Sequence, residues 1–210
     1  MLKNLIIAIG ILVFCAAYVP LTALAEDEVV ATVTRLRNTA VVIRKGQQLD
    51  VQAGHKLQKF DAIKSGKNAR VEIIFNDGTK LYIGANCHIV IDEFLFDPDK
   101  NIGTTILRAL QGPFRFITGR IGKVQKPQVV VQSRFGVVGV RGTDFWAGPS
   151  RGVYGVLLLD GSISVTNPFG QRILTEAGTG VNLTSNTAPP GEVTVWGTLR
   201  AQEALDDVAF

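Results

Sequence analysis

The feature that most constrains the fold is a pair of Asp-Gly dipeptides, each flanked by residues that alternate between apolar and polar. The first is Asp77-Gly78 in ARVEIIFNDGTKLYIG, and the second is Asp160-Gly161 in VLLLDGSISVT. Alternation indicates a strand with one buried face, and Asp-Gly between two such strands is a strong short-range signal for a β-hairpin. Both stretches are therefore predicted to form β-hairpins.

The same alternation continues through most of the chain in shorter runs bounded by Gly, Pro or Asn. These predicted strands are Val29–Leu36, Thr39–Arg44, Val129–Gln132, Val137–Val140, Ile173–Glu176 and Val181–Thr184. Only LRAQEALDDVAF, at the C-terminal end, has a helical composition. Many short strands with almost no helix predict an all-β sandwich, barrel or solenoid with a short helical tail. We assign residues 26–195 to the β domain and residues 196–210 to the tail.

The first 25 residues have the layout of a secretory signal peptide. Lys3 supplies a positive charge, residues 5–19 form an apolar run, and residues 23–25 form a small-residue cleavage site. The run is short for a membrane span, although an uncleaved anchor helix is the alternative. Cleavage at this site predicts a periplasmic or secreted protein without a transmembrane anchor. Cys87 is then the one cysteine of the mature chain, so an internal disulfide is not expected.

Positive charge is concentrated in the middle of the chain. The net charge is +4, but residues 100–143 contain eight Lys and Arg residues and no Asp or Glu. Basic stripes attract anionic partners through long-range electrostatics that salt screens. The candidate binding surface consists of Arg115, Arg120, Lys123 and Lys126. In an exported protein we expect an acidic protein face or an anionic envelope glycan as partner, and not nucleic acid. An ordinary solvated strand face is the alternative.

Five motifs follow one another in order along the chain. They are the D-x-I-x-S-G segment with Asp61, Ser65 and Gly66, the F-x-D-G-T hairpin, LQGPFRF, VRGTDF, and VLLLDGSISV. In this order they resemble the FecR domain of bacterial periplasmic sensor proteins, over roughly residues 45–185. The resemblance implies an all-β extracytoplasmic module with a twisted, solenoid-like fold. It also implies a signalling role, since the best-known members relay the state of an outer-membrane transporter to a cytoplasmic sigma factor.

The VRGTDF segment is interpreted as a signature of the fold. Residues 137–140 are expected to form a buried strand in which Gly139 allows close approach of a neighbouring backbone. Gly142 permits a bulge or a positive φ, and Arg141 is expected to tie down carbonyl groups or a carboxylate at that bend. Ligand binding by Arg141 is the less favoured alternative. The residues assigned structural roles are Gly139, Arg141, Gly142, Thr143, Phe145, Asp77, Gly78, Asp160 and Gly161.

No catalytic, cofactor or metal site is predicted. Cys87 is expected to be a small buried residue, and His88 points to the opposite face of the same strand, which works against a Cys–His pair. His55 and His88 lack ligand-spaced partners for zinc. Residues 97–108 begin like a calcium loop but lack its Gly and its final Glu, so a solvated turn is predicted.

These observations predict a non-catalytic binding or signalling module of the cell envelope. The transporter-coupled regulators of the FecR family carry a cytoplasmic region before their membrane helix, and that region holds the sigma factor. Only four residues precede the apolar run here, so we expect a stand-alone exported domain. The alternatives are an extracytoplasmic glycan-acting enzyme and a structural component of a surface complex, and no oligomeric state is assigned.

Overall fold

The computed structural model describes residues 28–210, and the predicted signal peptide, residues 1–25, lies outside the described residues. The strands are β1 (Val29–Arg37), β2 (Ala40–Arg44), β3 (Gln47–Asp50), β4 (Lys56–Gln58), β5 (Ala62–Ser65), β6 (Arg70–Phe75), β7 (Lys80–Ile83), β8 (His88–Asp97), β9 (Ile102–Gln111), β10 (Phe114–Ile117), β11 (Gln128–Ser133), β12 (Gly136–Ser150), β13 (Val153–Asn167), β14 (Gly170–Leu174), β15 (Thr179–Leu183) and β16 (Thr194–Val195). Two helical segments accompany them, a 3₁₀ turn at Arg120–Lys123 and helix α1 at Thr198–Asp206. The all-β class and the short C-terminal helix are thereby confirmed.

All sixteen strands belong to one sheet that does not close into a barrel. The strand order is β3-β2-β5-β8-β9-β11-β12-β10-β7-β6-β1-β4, and β13 branches from β12 to pair with β14 and β15. Strand β15 also pairs with β16. Among the described strands, β9 and β11 are parallel, and the other pairs are antiparallel. The longest pairing joins β12 and β13, each fifteen residues long.

The sheet wraps around one apolar core. In β6, for example, Val71, Ile73 and Phe75 are buried while the residues between them are partly exposed. Phe114 of β10 and Phe145 of β12 meet edge to face in this core, with ring centres 5.8 Å apart. Burying side chains of this size stabilises a fold by about 1.5–3 kcal/mol each. The alternation seen in the sequence therefore separates a core side of the sheet from an outer side.

A second, smaller apolar cluster lies on the outer side of the sheet. Phe145 and Trp146 are neighbours in β12 and point to opposite faces, yet both are fully buried. The ring of Trp196 lies 6.0 Å from that of Trp146, and Ala204 and Val208 complete the cover. The C-terminal tail thus packs against the sheet through its own apolar face.

The first Asp-Gly dipeptide forms the predicted hairpin, between β6 and β7. Gly78 has φ +84°, the left-handed conformation that such turns require. The carboxylate of Asp77 is fully buried and accepts hydrogen bonds from the amide (3.0 Å) and the hydroxyl (2.7 Å) of Thr79. It also accepts one from the amide of Ile121, at 3.0 Å. Asp77 therefore anchors the 3₁₀ turn in addition to shaping the hairpin.

The prediction of a second hairpin at Asp160-Gly161 is wrong. These residues lie within β13, which continues through them and stays paired with β12. The hairpin between β12 and β13 turns instead at Arg151-Gly152, where φ is +51° and +85°. Gly161 does adopt a positive φ, +82°, but uses it in a β-bulge. A bulge and a tight turn favour the same dipeptide, because both need a left-handed residue.

Candidate functional site

The VRGTDF segment lies at an irregularity in the pairing of β12 with β13. Residues 142 and 143 of β12 lie opposite the single residue Gly161 of β13, which is the arrangement of a β-bulge. Gly142 has φ +58°, in agreement with the bend expected from the sequence. A Cβ atom on Gly161 would lie only 2.4 Å from the carbonyl oxygen of Gly142. Gly161 therefore lets the backbones approach closely here, and Gly142 supplies the positive φ of the bend.

Thr143 holds this bulge together. Its hydroxyl donates to the carbonyl of Ser162 across the pairing, at 2.6 Å. Its amide donates to the hydroxyl of Thr118 at 3.0 Å, and the amide of Thr118 donates back to the carbonyl of Thr143 at 2.9 Å. Buried hydroxyls in such reciprocal bonds leave few free polar groups at the bend. The bulge is thus linked to the segment that follows β10.

The expectation that Arg141 ties down the bend is wrong for its side chain. Arg141 is exposed, and within residues 28–210 its guanidinium has no hydrogen-bond or ion-pair partner. The reason is the alternation of β12: Val138 and Val140 point into the core, so Arg141 points outward. Val137 also points outward and is 39% exposed, so the expectation that residues 137–140 are all buried is wrong as well.

Arg141 borders a cavity of about 380 Å³ on the outer side of β12, β13 and β14. Its lining consists of Arg141, Ser162, Ile163, Ser164, Gln171, Ile173 and Thr175. The strand register brings these residues together, because Arg141 lies opposite Ser162 and Ser164 lies opposite Ile173. Sequence reasoning missed this cavity, since it treated residues 160–161 as a turn and so misplaced the serines that follow.

Arg115, the first member of the predicted cationic surface, is held by an acid of the VRGTDF segment. Its Nε and Nη2 atoms lie 2.9 Å and 2.6 Å from the two carboxylate oxygens of Asp144. This bidentate hydrogen bond raises the pKa of the Arg115 guanidinium. Arg115 lines a groove beside the C-terminal segment together with Tyr82 and Phe210. Its charge is therefore largely neutralised by Asp144.

The remaining cations of that predicted surface differ in their surroundings. Arg120 donates to the carbonyl of Asn76 at 3.0 Å, and its guanidinium lies 5.2 Å from the centre of the Phe96 ring. Arg120 thus supports the β6–β7 hairpin. Lys123 and Lys126 are exposed. Two of the four predicted cations, Arg115 and Arg120, therefore make contacts within the fold that stabilise it.

The polar residues of the D-x-I-x-S-G segment are also internal ties. Asp61 is fully buried and accepts hydrogen bonds from Nε (2.8 Å) and Nη2 (2.6 Å) of Arg44. The hydroxyl of Ser65 donates to the carbonyl of Gly84 at 2.6 Å and accepts from the amide of Cys87 at 2.8 Å. Buried charges and hydroxyls need such partners. This segment therefore connects neighbouring strands and their loops.

The residues considered for nucleophilic or metal chemistry have structural surroundings. Cys87 is buried as predicted, and burial raises the pKa of its thiol to about 12, so the thiol is protonated at neutral pH. Burial lowers the pKa of both His55 and His88. No group of three or more His, Cys, Asp or Glu within residues 28–210 could hold a metal ion. Asp97 accepts hydrogen bonds from the amide and ammonium of Lys100, which forms the predicted turn.

A second cavity, of about 320 Å³, lies beside the β12–β13 hairpin. Phe135, Val153 and Tyr154 line it, with Arg134 at its rim. The rings of Phe135 and Tyr154 have centres 5.0 Å apart, and burial raises the pKa of Tyr154. Tyr154 is buried and Phe135 is partly buried, and no sequence motif marked this pair.

Comparisons with known proteins agree with this fold. The family model described as "FecR protein" matches residues 61–164, so the resemblance is confirmed over a shorter range than the sequence suggested. A crystal structure of a "putative anti-sigma factor" from Parabacteroides distasonis superposes with a TM-score of 0.50 at 19% identity, covering 63% of this chain and 57% of that one. A second crystal structure with the same description and coverage gives 0.48. The chain thus spans little more than half of those structures, and no curated protein matches it in sequence.

No helix among residues 28–210 is long and apolar enough to cross a membrane.

Proposed function

We propose that this chain, which carries a FecR domain, is a non-catalytic signalling module of the bacterial envelope that acts by binding another protein. The family match supports a regulatory role. The Parabacteroides protein shares the fold, and its description as an anti-sigma factor supports protein contacts as the means of regulation. The predicted signal peptide, residues 1–25, supports a periplasmic or secreted location. Residues 26–195 would be the binding domain and residues 196–210 the tail that packs on it.

The observation that carries this proposal is a broad outer face formed by β9, β11, β12, β13 and β14. One row across these five strands consists of Ile106, Val130, Gly139, Ser164 and Ile173. Gly139 contributes no side chain to the centre of this row, so no side chain projects from the face at that point. A shallow mixture of apolar and polar groups is the usual composition of a non-obligate protein interface.

Two exposed side chains give the outer face its apolar character. Ile173 is 62% exposed and Val137 is 39% exposed. By contrast, the C-terminal tail covers Trp146, which lies on the same strand as Val137. The guanidinium of Arg141, which has no partner in the described part of the chain, adds a positive charge to the face. An acidic protein surface therefore fits it best, because opposite charge aids both encounter and register.

The experiment that tests this proposal is photo-crosslinking in intact cells. A photoreactive amino acid is placed at Val137 or at Ile173, and the control position is Leu199 of α1, which is 69% exposed but lies outside the outer face. We expect both face positions to capture the same protein and Leu199 not to capture it. Capture of that protein from all three positions, or of no protein from Val137 and Ile173, would contradict the proposed function.

A further inference from the structure

We propose that the cavity beside Arg141 is a carboxylate-binding site and that its occupant is an acidic side chain of the partner protein. The proposal rests on the function proposed above and names the chemistry of recognition. Arg141 supplies the charge, and the neighbouring strands supply hydroxyl and amide groups. The cavity, at about 380 Å³, is large enough for a carboxylate and the side chain that bears it.

The guanidinium of Arg141 is available for a ligand because no group among residues 28–210 pairs with it. Other arginines of the same region are paired: Arg115 with Asp144, Arg108 with Asp92, and Arg172 with Glu192. Arg141 has no such partner among residues 28–210. A planar guanidinium presents two parallel N–H groups that match a carboxylate.

Additional donors surround the guanidinium. Ser162 lies directly opposite Arg141 in the pairing, and Ser164 lies two residues further along β13. Thr175 follows β14 and borders the same cavity. Within the described part of the chain, the hydroxyls of these three residues make no hydrogen bond. Three unused hydroxyls beside one unused guanidinium can together satisfy both oxygens of a carboxylate.

The walls of the cavity favour a carboxylate over a phosphate. Ile173, which is 62% exposed, forms the apolar wall, whereas the side chain of Ile163 is buried in the core. Arg141 is the one charged residue of that lining, and a phosphate near neutral pH carries more negative charge than one cation neutralises. A carboxylate on a short hydrocarbon stem places its charge at the guanidinium and its methylene groups against isoleucine.

The bulge fixes the backbone that carries this donor. Thr143 and Gly142 fix the backbone immediately after Arg141, and the hydroxyl of Thr143 bonds to the carbonyl of Ser162. The two residues that face each other in the cavity, Arg141 and Ser162, are thus connected through the backbone next to them. A donor on a fixed backbone loses less entropy when it binds.

The test is titration of the protein with small carboxylates, followed by amide chemical shifts. The probes are N-acetyl-glutamate amide, which stands for an acidic protein side chain, and glucuronate, which stands for an acidic glycan. Inorganic phosphate is the third probe. We expect the glutamate probe to shift the amides of Arg141, Ser162 and Thr175 at millimolar concentrations. The variant Arg141→Gln should weaken this binding at least tenfold.

The matched control is Arg134→Gln, which removes another exposed arginine that lines the second cavity. It should bind the glutamate probe as the unchanged protein does. Arg141→Gln should keep the melting temperature, because the Arg141 side chain has no partner among residues 28–210 to lose. No shifts at the cavity, equal binding by Arg141→Gln, or tighter binding of glucuronate or phosphate than of the glutamate probe would each overturn the proposal. Crosslinking from Val137 tests the proposed function separately, since it does not depend on Arg141.

Discussion

Two glycines of the β12–β13 pair allow the close approach of the strands at the bulge to be measured as a stability difference. Gly161 and Gly152 have nearly the same φ, +82° and +85°, in the left-handed region. A Cβ at Gly161 would lie 2.4 Å from the carbonyl oxygen of Gly142 and 3.0 Å from the Cα of Thr143. A Cβ at Gly152 would meet nothing within 4 Å. The substitutions Gly161→Ala and Gly152→Ala therefore differ in crowding and share the backbone strain.

The expected magnitudes follow from these distances. An alanine in the left-handed region costs about 1–2 kcal/mol, and both variants lose this amount. At Gly161 the strands must in addition separate by about 0.6 Å to bring the 2.4 Å contact to 3.0 Å, the lower limit of real contacts. Overpacking of this kind costs about 1–3 kcal/mol more. We expect Gly161→Ala to be less stable than Gly152→Ala by about 2 kcal/mol, or roughly 4–8 °C in melting temperature.

The assay is urea unfolding followed by tryptophan fluorescence, because Trp146 and Trp196 are buried in the native state. Gly142→Ala serves as a second control, since its φ is +58° and its Cβ would also meet nothing within 4 Å. It should resemble Gly152→Ala. Equal losses for Gly161→Ala and Gly152→Ala would refute the close approach of the two backbones, and so would a smaller loss for Gly161→Ala.

Three further predictions concern other parts of the fold. Asp77→Ala should reduce the free energy of unfolding by about 2–4 kcal/mol, because the buried amide of Ile121 and the amide and hydroxyl of Thr79 lose their acceptor. Urea unfolding measures this loss, and a loss below about 1 kcal/mol would contradict the prediction. Trp196→Ala should cost about 3–5 kcal/mol and open the tail to proteolysis, and an unchanged cleavage rate would contradict the packing of α1. Burial lowers the pKa of His55 and His88, so each contributes stability that is present above the unfolded pKa, about 6.5, and is lost as the pH falls through the folded pKa. The melting temperature should therefore fall as the pH is lowered from 7.5 to 5.5. It should fall less in the double variant with both histidines changed to Gln.

The sequence predicted the β class and one hairpin because alternation and Asp-Gly are local signals. It failed at Asp160-Gly161, where a tight turn and a bulge have the same local signature. Only the pairing with β12 distinguishes a tight turn from a bulge, and β12 lies outside the short stretch of sequence around residues 160–161. The role of Arg141 was predicted wrongly for another reason, because the VRGTDF motif was interpreted as a unit. Val138 and Val140 face the core, so the alternation of side chains along the strand already places Arg141 on the outer side.

The burial of both Phe145 and Trp146 could not be predicted from alternation. Two adjacent strand residues are both buried only when something covers each face of the sheet. For Trp146 the cover is the tail, with Trp196 more than 40 residues away in sequence. The cavity beside Arg141 has a similar origin, because the register of β13 with β14 sets its lining. Features that depend on a distant partner were therefore the ones that sequence reasoning missed.

The strand order has a consequence for how the chain completes its fold during synthesis. Strands β1, β4, β6 and β7 form one end of the sheet, and β2, β3, β5 and β8 form the other, although both sets come from the first half of the described residues. The strands that connect the two ends, β9 to β12, emerge later. Until they emerge, β7 and β8 are open edges that can pair with other chains. A chain synthesised from its N-terminus must therefore keep these two groups of strands from pairing wrongly until residue 147, the last residue of β12 that pairs with β10, has been made. Chaperone protection would matter most during that interval.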